Sequence, residues 1–428
     1  MNFFSDLYDP QTRTSSADEA LQIGFFADTY APQINGISVS LQLLVQGLRA
    51  EGHQVTVFAP RFPHYRDLDT NVHRIPAIAY TQSPPFYVAV PGTPRTSLAL
   101  GRCRFDVLHV HSPLSTGVLA YLTAKAKHTP LVYTYHTAIT DYVHYLKFGG
   151  RTRPARKAAR WFSTATANLA DRVVTPSEKI RELLIGQKVK RPVQTIPNGI
   201  PLKDFHHPGH SQAFRQQLGL GPEARLLLSV GRLAPEKCLG LLVEAFAQIA
   251  SRLPDVHLVF AGDGSSRADL EKRAGACGYG ERIHFLGMVE RDSLPGLLHE
   301  AELFLSASTT ETQCVAMVEA IASGLPVVAV WDEAFAGMLV DGVNGLCASH
   351  GDAAAFADLV CGLLADPGKL RVFAGNSLEL SRKFSIEAQV TALVTLYREA
   401  ILEKSETLRK RISYPPTFTL STFQRSNS

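Results

Sequence analysis

At 428 residues the chain is too long for one ordinary hydrophobic core and suggests two domains of comparable size. Hydrophobic residues at 45% and aromatics at 9% are those of a globular protein, and 43 Lys and Arg against 39 Asp and Glu leave a net charge of only +4, too weak for nucleic-acid binding through global charge. Six cysteines with no Cys-x-x-Cys pair and no His at zinc spacing read as reduced cytosolic thiols, not as staples or metal ligands.

The amino terminus has no cationic start followed by an apolar run, so residues 1–20 are expected to be a flexible segment and the protein cytoplasmic. "LQIGFFADTY" (Leu21 to Tyr30) reads as a buried strand entering a loop, with a helix over Ile37 to Gly52 and a second strand at "QVTVFAP". "DVLHVHSP", a helix from about Gly117, "LVYTYHT", a basic helical stretch and "DRVVTPS" continue a parallel, doubly wound sheet. "IPNGIPLKDFHHPGH" looks like a hinge, which makes 21–200 a first Rossmann-like domain. "RLLLSVGR", "HLVFAGDG", "IHFLGMV", "LFLSAS" and "LPVVAV" repeat the architecture over 201–385. A helix over 386–412 is expected to pack back toward the first domain, and 413–428 lacks periodicity and reads as a disordered tail. The class is α/β, with a cleft between the carboxyl ends of two facing sheets.

Arg232 and Lys237 in "VGRLAPEK" stand just past a strand, in a turn expected to open into a helix near Pro235; two cations beside a helix amino terminus suit a diphosphate. Any one such pair is more often solvated surface charge, and position shifts the odds. Gly262 and Gly264 in "FAGDGSS" would let backbone amides approach a ligand. Glu311 and Glu319 are separated by up to roughly 12 Å of helical rise and about 80° of rotation, so they cannot share one proton-transfer task. The span suits a sugar ring and the ribose of a nucleotide sugar.

"VGRLAPEK", "AGDG", "FLG" and "ETQCVAMVEAIASGLPVV", in this order, resemble the donor half of family 4 of the retaining glycosyltransferases, which have the two-domain GT-B fold. The resemblance runs from Gln22 to Leu402. It implies that Arg232 and Lys237 hold the donor diphosphate, that Glu311 contacts the transferred sugar and that Glu319 takes the ribose hydroxyls. It also implies donor contacts at Gly36, Gly262, Gly264, Met288, Thr312 and Gln313, with His136 reaching the donor sugar. His136 read alone is a core histidine at a strand end; His111 has a weaker claim, and His109 faces the sheet. No metal or cofactor is implied, the nucleotide sugar being a co-substrate. Cys314, where relatives often have glycine, would narrow the space beside the sugar. "DLD" at Asp67 to Asp69 reads as a surface turn, not a metal site.

"YHTAITDYVHYL", with "ETQ" and "WDEAF", is closer to the diacylglycerol glucosyltransferases and allied lipid enzymes, which implies a lipid acceptor near Asp141, Tyr142, His144 and Tyr145. Arg151, Arg153, Arg156, Lys157 and Arg160, with Trp161 and no intervening acid, would lie on an anionic bilayer, making the protein peripheral to the inner face of the membrane. The expected reaction is transfer of glucose from UDP-glucose to diacylglycerol, with a GDP-mannose-dependent family 4 mannosyltransferase acting on a glycolipid or phosphoinositide as the alternative. A non-catalytic nucleotide-sugar-binding protein is the reading from another class. A dehydrogenase is disfavoured, since the first strand lacks a Gly-x-Gly-x-x-Gly turn.

Overall fold

The apolar run that forms β1 (Gln22–Phe26) is covered on both faces, and it pairs in parallel with β2 (Gln54–Pro60) on one side and β6 (Val107–Val110) on the other. In the computed structural model, which describes residues 19–33, 35–79, 87–136, 153–206 and 212–413, this trio is the centre of a seven-stranded sheet. β3 (Val72–Ile75) extends it beyond β2; β7 (Leu131–Thr134), β8 (Arg172–Thr175) and β9 (Val193–Thr195) extend it beyond β6. All six pairings are parallel. A small antiparallel pair, β4 (Ala77–Ala79) with β5 (Tyr87–Ala89), flanks it.

The second sheet repeats this order. β10 (Arg225–Val230) lies between β11 (Val256–Ala261) and β13 (Leu303–Ser306), with β12 (Ile283–Gly287) outside β11, and β14 (Val327–Val330) and β15 (Gly345–Ala348) outside β13. Strand order thus reverses between β1 and β6 in one sheet and between β10 and β13 in the other. Ligands of such sheets bind at those points, outside the carboxyl ends of the strands.

Helices cover both faces of each sheet. The Gly36–Ala50 helix is capped by the Asn35 side chain, which accepts from Ser38 N, and it buries Leu41, Leu44, Val45 and Leu48 on one stripe. Beside it lies the last helix, Ile386–Ser413, whose Val390, Leu393, Val394, Tyr397 and Ile401 join the core of the first domain. Burial of each such side chain contributes about 1.5–3 kcal/mol, so the Ile386–Ser413 helix is held on the first domain.

The chain crosses between domains twice, and the two crossings are hydrogen-bonded. Ile200 N donates to Phe384 O, and Ile386 N donates to Ile200 O, both at 2.9 Å. Gly199 is required there, because a Cβ at this position would come within 2.5 Å of Ser385 O and 2.7 Å of Ile386 Cα. Asn198 is held by Gln313, whose Oε1 accepts from its backbone and side-chain nitrogens at 2.7 and 2.8 Å. The hinge expected at Ile196 to His210 is therefore tied to the second domain at its start; residues 207–211 lie outside the described residues, as do 1–18 of the expected amino-terminal segment and 414–428 of the expected tail.

Candidate active site

The loops leaving β10 and β13, neighbours at the reversal of strand order, carry Arg232, Lys237 and Glu311. Lys237 Nζ lies 2.5 Å from Glu311 Oε1, and the carboxylate is buried. Arg232 points outward, half exposed, and pairs with Glu236 at 2.7 Å. The helix expected near Pro235 is a correction: Pro235–Lys237 is a single 3-10 turn, Cys238 adopts a left-handed conformation, and the helix proper runs over Gly240–Arg252. Lys237 thus sits on a tight turn ahead of the helix, and Arg232 in the loop before that turn.

Glu319 lies in the Val315–Ala322 helix, buried, with Arg291 Nη1 3.0 Å from its Oε1. Burial pushes its carboxyl above the ordinary glutamate range, and Arg291 opposes that shift. The two glutamates answer to different cations, so they occupy separate parts of the site. Arg291 was not legible beforehand, because only the fold brings the segment after β12 against this helix.

Gly262 and Gly264 are close-approach positions, but what they approach is the protein. A Cβ on Gly262 would lie 1.9 Å from Gly231 O, and one on Gly264 2.3 Å from Leu233 O. Their lack of side chains lets the loop after β11 pack on the loop carrying Arg232, with Leu233 N donating to Asp263 O at 3.0 Å. Gly36 is the first residue of its helix and has open space on its Cβ side. Met288 follows β12 and is 64% exposed.

The first domain meets this site directly. Thr312, next to Glu311, donates from Oγ1 to His136 O at 3.1 Å. Gln313 differs from the expected donor contact: its side-chain amide is committed to Asn198, since Nε2 also donates to Asn198 O at 3.1 Å. Cys314, expected to narrow the space beside the sugar, is buried next to Glu311 and Lys237. It packs in the core beneath the site, where burial pushes its thiol up to about 12.

At the reversal point of the first sheet, Asp28 Oδ1 accepts from Ser115 Oγ at 2.7 Å and from Thr116 N at 3.1 Å, at the start of the Ser115–Lys127 helix. Burial raises its carboxyl pKa. His136, at the end of β7, is buried and its pKa is pushed down to about 4, so it is neutral near neutral pH. His111 pairs with it, while His109 is taken up in the core by Tyr397 and Thr134. A further bridge between the domains joins Lys179 to Asp332 at 2.6 Å.

Asp67 and Asp69 are engaged structurally, by Arg74 at 2.7 Å and Arg49 at 2.6 Å. Among the described residues, no three His, Cys, Asp or Glu gather as a metal site. Lys157, Arg160 and Trp161 lie exposed on the Arg153–Ala167 helix, Trp161 to 72%. Asp141, Tyr142, His144, Tyr145 and Arg151, and the side chains of Arg153 and Arg156, lie outside the described residues. No helix among the described residues is long and apolar enough to cross a membrane.

The family model described as Glycosyltransferase Family 4 matches residues 34–204, and that described as Glycosyl transferases group 1 matches 210–379. The alpha-monoglucosyldiacylglycerol synthase of Acholeplasma laidlawii is 30% identical over 418 residues, covering 91% of this chain and 100% of the relative. The chain belongs to glycosyltransferase family 4. A synthase of the same name from Streptococcus pneumoniae is 32% identical to this family 4 enzyme over 314 residues, 72% of this chain and 71% of the relative. The solved structure of sucrose-phosphate synthase from Thermosynechococcus elongatus superposes with a TM-score of 0.74 at 22% identity, over 89% of this chain and all of that one. The glycosyltransferase therefore has the GT-B fold, with its candidate site between two Rossmann-like domains.

Proposed function

We propose that this glycosyltransferase moves glucose from UDP-glucose to the free hydroxyl of diacylglycerol, with retention of the α configuration and without a metal ion. The observation that carries this reading is the meeting of Lys237 and Glu311 at a strand-order reversal, one residue from the contact of Thr312 with His136. A cation for phosphate, an acid for sugar hydroxyls and a wall from the other domain thus share one gap. The two alpha-monoglucosyldiacylglycerol synthases, one matched along its whole length, support the choice of sugar and acceptor.

Departure of UDP is the difficult step, because negative charge grows on the leaving phosphate. Lys237 and Arg232 stabilise that charge where it develops, and Lys237 is released to it as Glu311 turns to the hydroxyls of the hexose. Glu319 accepts from the ribose hydroxyls, its ionised form supported by Arg291. The acceptor oxygen attacks the anomeric carbon from the face that UDP leaves. The departing phosphate oxygen takes the acceptor proton, and the new bond keeps the α configuration. Water must be kept out while the bond is open, and closure of the two domains over the donor would serve that end.

The protein works at the inner face of an anionic membrane, where diacylglycerol resides. The exposed Lys157, Arg160 and Trp161 of the Arg153–Ala167 helix support such a peripheral contact. The full chain would be incubated with UDP-glucose, UDP-galactose or GDP-mannose and vesicles of phosphatidylglycerol containing diacylglycerol. The expected product is an α-glucosyl lipid from UDP-glucose alone, identified by its anomeric proton coupling. A mannosyl lipid formed only from GDP-mannose, or a β-linked product, overturns the proposal.

A further inference from the structure

Two histidines at the ends of adjacent strands share a hydrogen bond that the reaction as described leaves unused. His111 follows β6 and His136 follows β7; Nδ1 of His111 lies 3.0 Å from Nε2 of His136, and both rings are buried. The ring of Phe25 lies 4.6 Å from that of His111 and the ring of His109 4.0 Å, between centroids. Burial holds both partners neutral, His136 at about 4 and His111 well below its ordinary value. Each neutral ring carries one N–H, and one hydrogen sits between them.

Which ring owns that hydrogen decides what His136 offers a ligand. If His136 donated, the hydrogen of His111 would sit on its Nε2, which is buried with no partner among the described residues. Buried N–H groups without an acceptor are rarer in native interiors than acceptors short of a donor. If His111 donates, its Nε2 is a bare nitrogen, and His136 must carry its own hydrogen on Nδ1. Nδ1 is the ring nitrogen nearer the backbone, and the backbone carbonyl of His136 is where Thr312 of the second domain makes contact.

We propose that His111 is a positioning residue for the transfer: it donates from Nδ1 to Nε2 of His136, and so fixes the hydrogen of His136 on Nδ1 as a donor to an oxygen of the nucleotide sugar. The sugar contact rests on the proposed function together with the family resemblance, which implies that His136 reaches the donor sugar; the tautomer does not. His136 touches the donor, and His111 acts only through it. A neutral imidazole in a fixed tautomer gives a hydrogen bond of fixed sense, so the ligand atom at that point must be an acceptor, either a hydroxyl or a phosphate oxygen.

The test begins with the full chain labelled with 15N-histidine, signals being assigned by comparison with His136→Gln and His111→Asn proteins. Long-range proton–nitrogen spectra should show both rings protonated at Nδ1 and bare at Nε2. Protonation of both at Nε2 overturns the proposal. The second arm compares His111→Asn, which keeps an N–H near the site of Nδ1, with His111→Leu, which removes it. The KM for UDP-glucose should rise roughly tenfold in the Leu variant, with kcat changing less, and return to within about threefold of wild type in the Asn variant. An unchanged KM in the Leu variant, or an equal rise in both, removes the positioning role. Should the Leu variant not fold, the wild-type spectra and the Asn variant still decide. Undiminished turnover by His136→Gln would refute the donor contact alone, and absence of UDP-glucose turnover by wild type would refute the proposed function alone; in either case the spectra judge the tautomer separately.

Discussion

Lys237 Nζ and Glu311 Oε1 meet at 2.5 Å from loops 74 positions apart, each on a strand beside the reversal of strand order. Each neutralises the other, with the carboxylate buried and the ammonium partly exposed. On the proposed function, a donor diphosphate would take the place of Glu311 as partner of the lysine. Lys237→Ala should therefore lower kcat with UDP-glucose by about a hundredfold to a thousandfold, the usual loss for one group that stabilises developing charge. Steady-state rates at saturating donor check it, and a variant within a fewfold of wild type removes Lys237 from the reaction.

Arg291 and Glu319 yield a prediction with a pH sign. Burial raises the Glu319 carboxyl pKa above its unfolded value, so the folded state holds that proton more tightly. The contribution of this group to stability is then greatest below the unfolded pKa and declines as pH rises through the folded one. Glu319→Gln should flatten the dependence of unfolding free energy on pH over that window. Arg291→Ala removes the opposing cation and should push the decline to higher pH. Denaturant melts at stepped pH read both, and an unchanged profile in Glu319→Gln excludes this group as its source.

Gly199 has backbone atoms of the second crossing where a Cβ would stand. Gly199→Ala must separate Ile200 from Phe384 and Ile386, at a cost of about 1–3 kcal/mol. Calorimetry should show a midpoint lower by several degrees. An unshifted midpoint would mean that the crossings move apart without loss.

Lys179 reaches from the first domain to Asp332 in the second, and Asp332 is buried while also accepting from Ala334 N at 2.7 Å. Lys179→Met leaves that carboxylate without its cation and should cost about 2 kcal/mol, less than for a fully buried pair because the lysine is partly exposed. Asp332→Asn alongside Lys179→Met should recover part of the loss. Chemical denaturation of the single and double variants measures the coupling, and strict additivity would deny it.

Exposed Lys157, Arg160 and Trp161 predict salt-sensitive binding to anionic vesicles. Each cation near such a surface is worth about 1 kcal/mol, so changing Lys157 and Arg160 to serine should weaken cosedimentation with phosphatidylglycerol vesicles by about twentyfold to thirtyfold at low salt. Binding that ignores both changes refutes a membrane contact through this helix.

Much of this molecule was legible from local pattern. Buried parallel strands announce themselves as apolar runs, and Arg232, Lys237, Glu311 and Glu319 stand in short motifs that follow strands, so these candidates can be named from the chain alone. The C-terminal helix displays its apolar stripe from Val390 to Ile401 in the same local way. What escaped was every pairing across distance: Arg291 with Glu319, Lys179 with Asp332, Gln313 with Asn198, and His111 with His136. Such partners depend on strand order and on how the two domains meet, and neither leaves a periodic trace in the sequence. The same cause explains Gly262 and Gly264, whose missing side chains make room for a neighbouring loop's carbonyls. Local chemistry along the chain thus determined which groups are present, while packing between segments remote in sequence decided which of them remain available to a substrate.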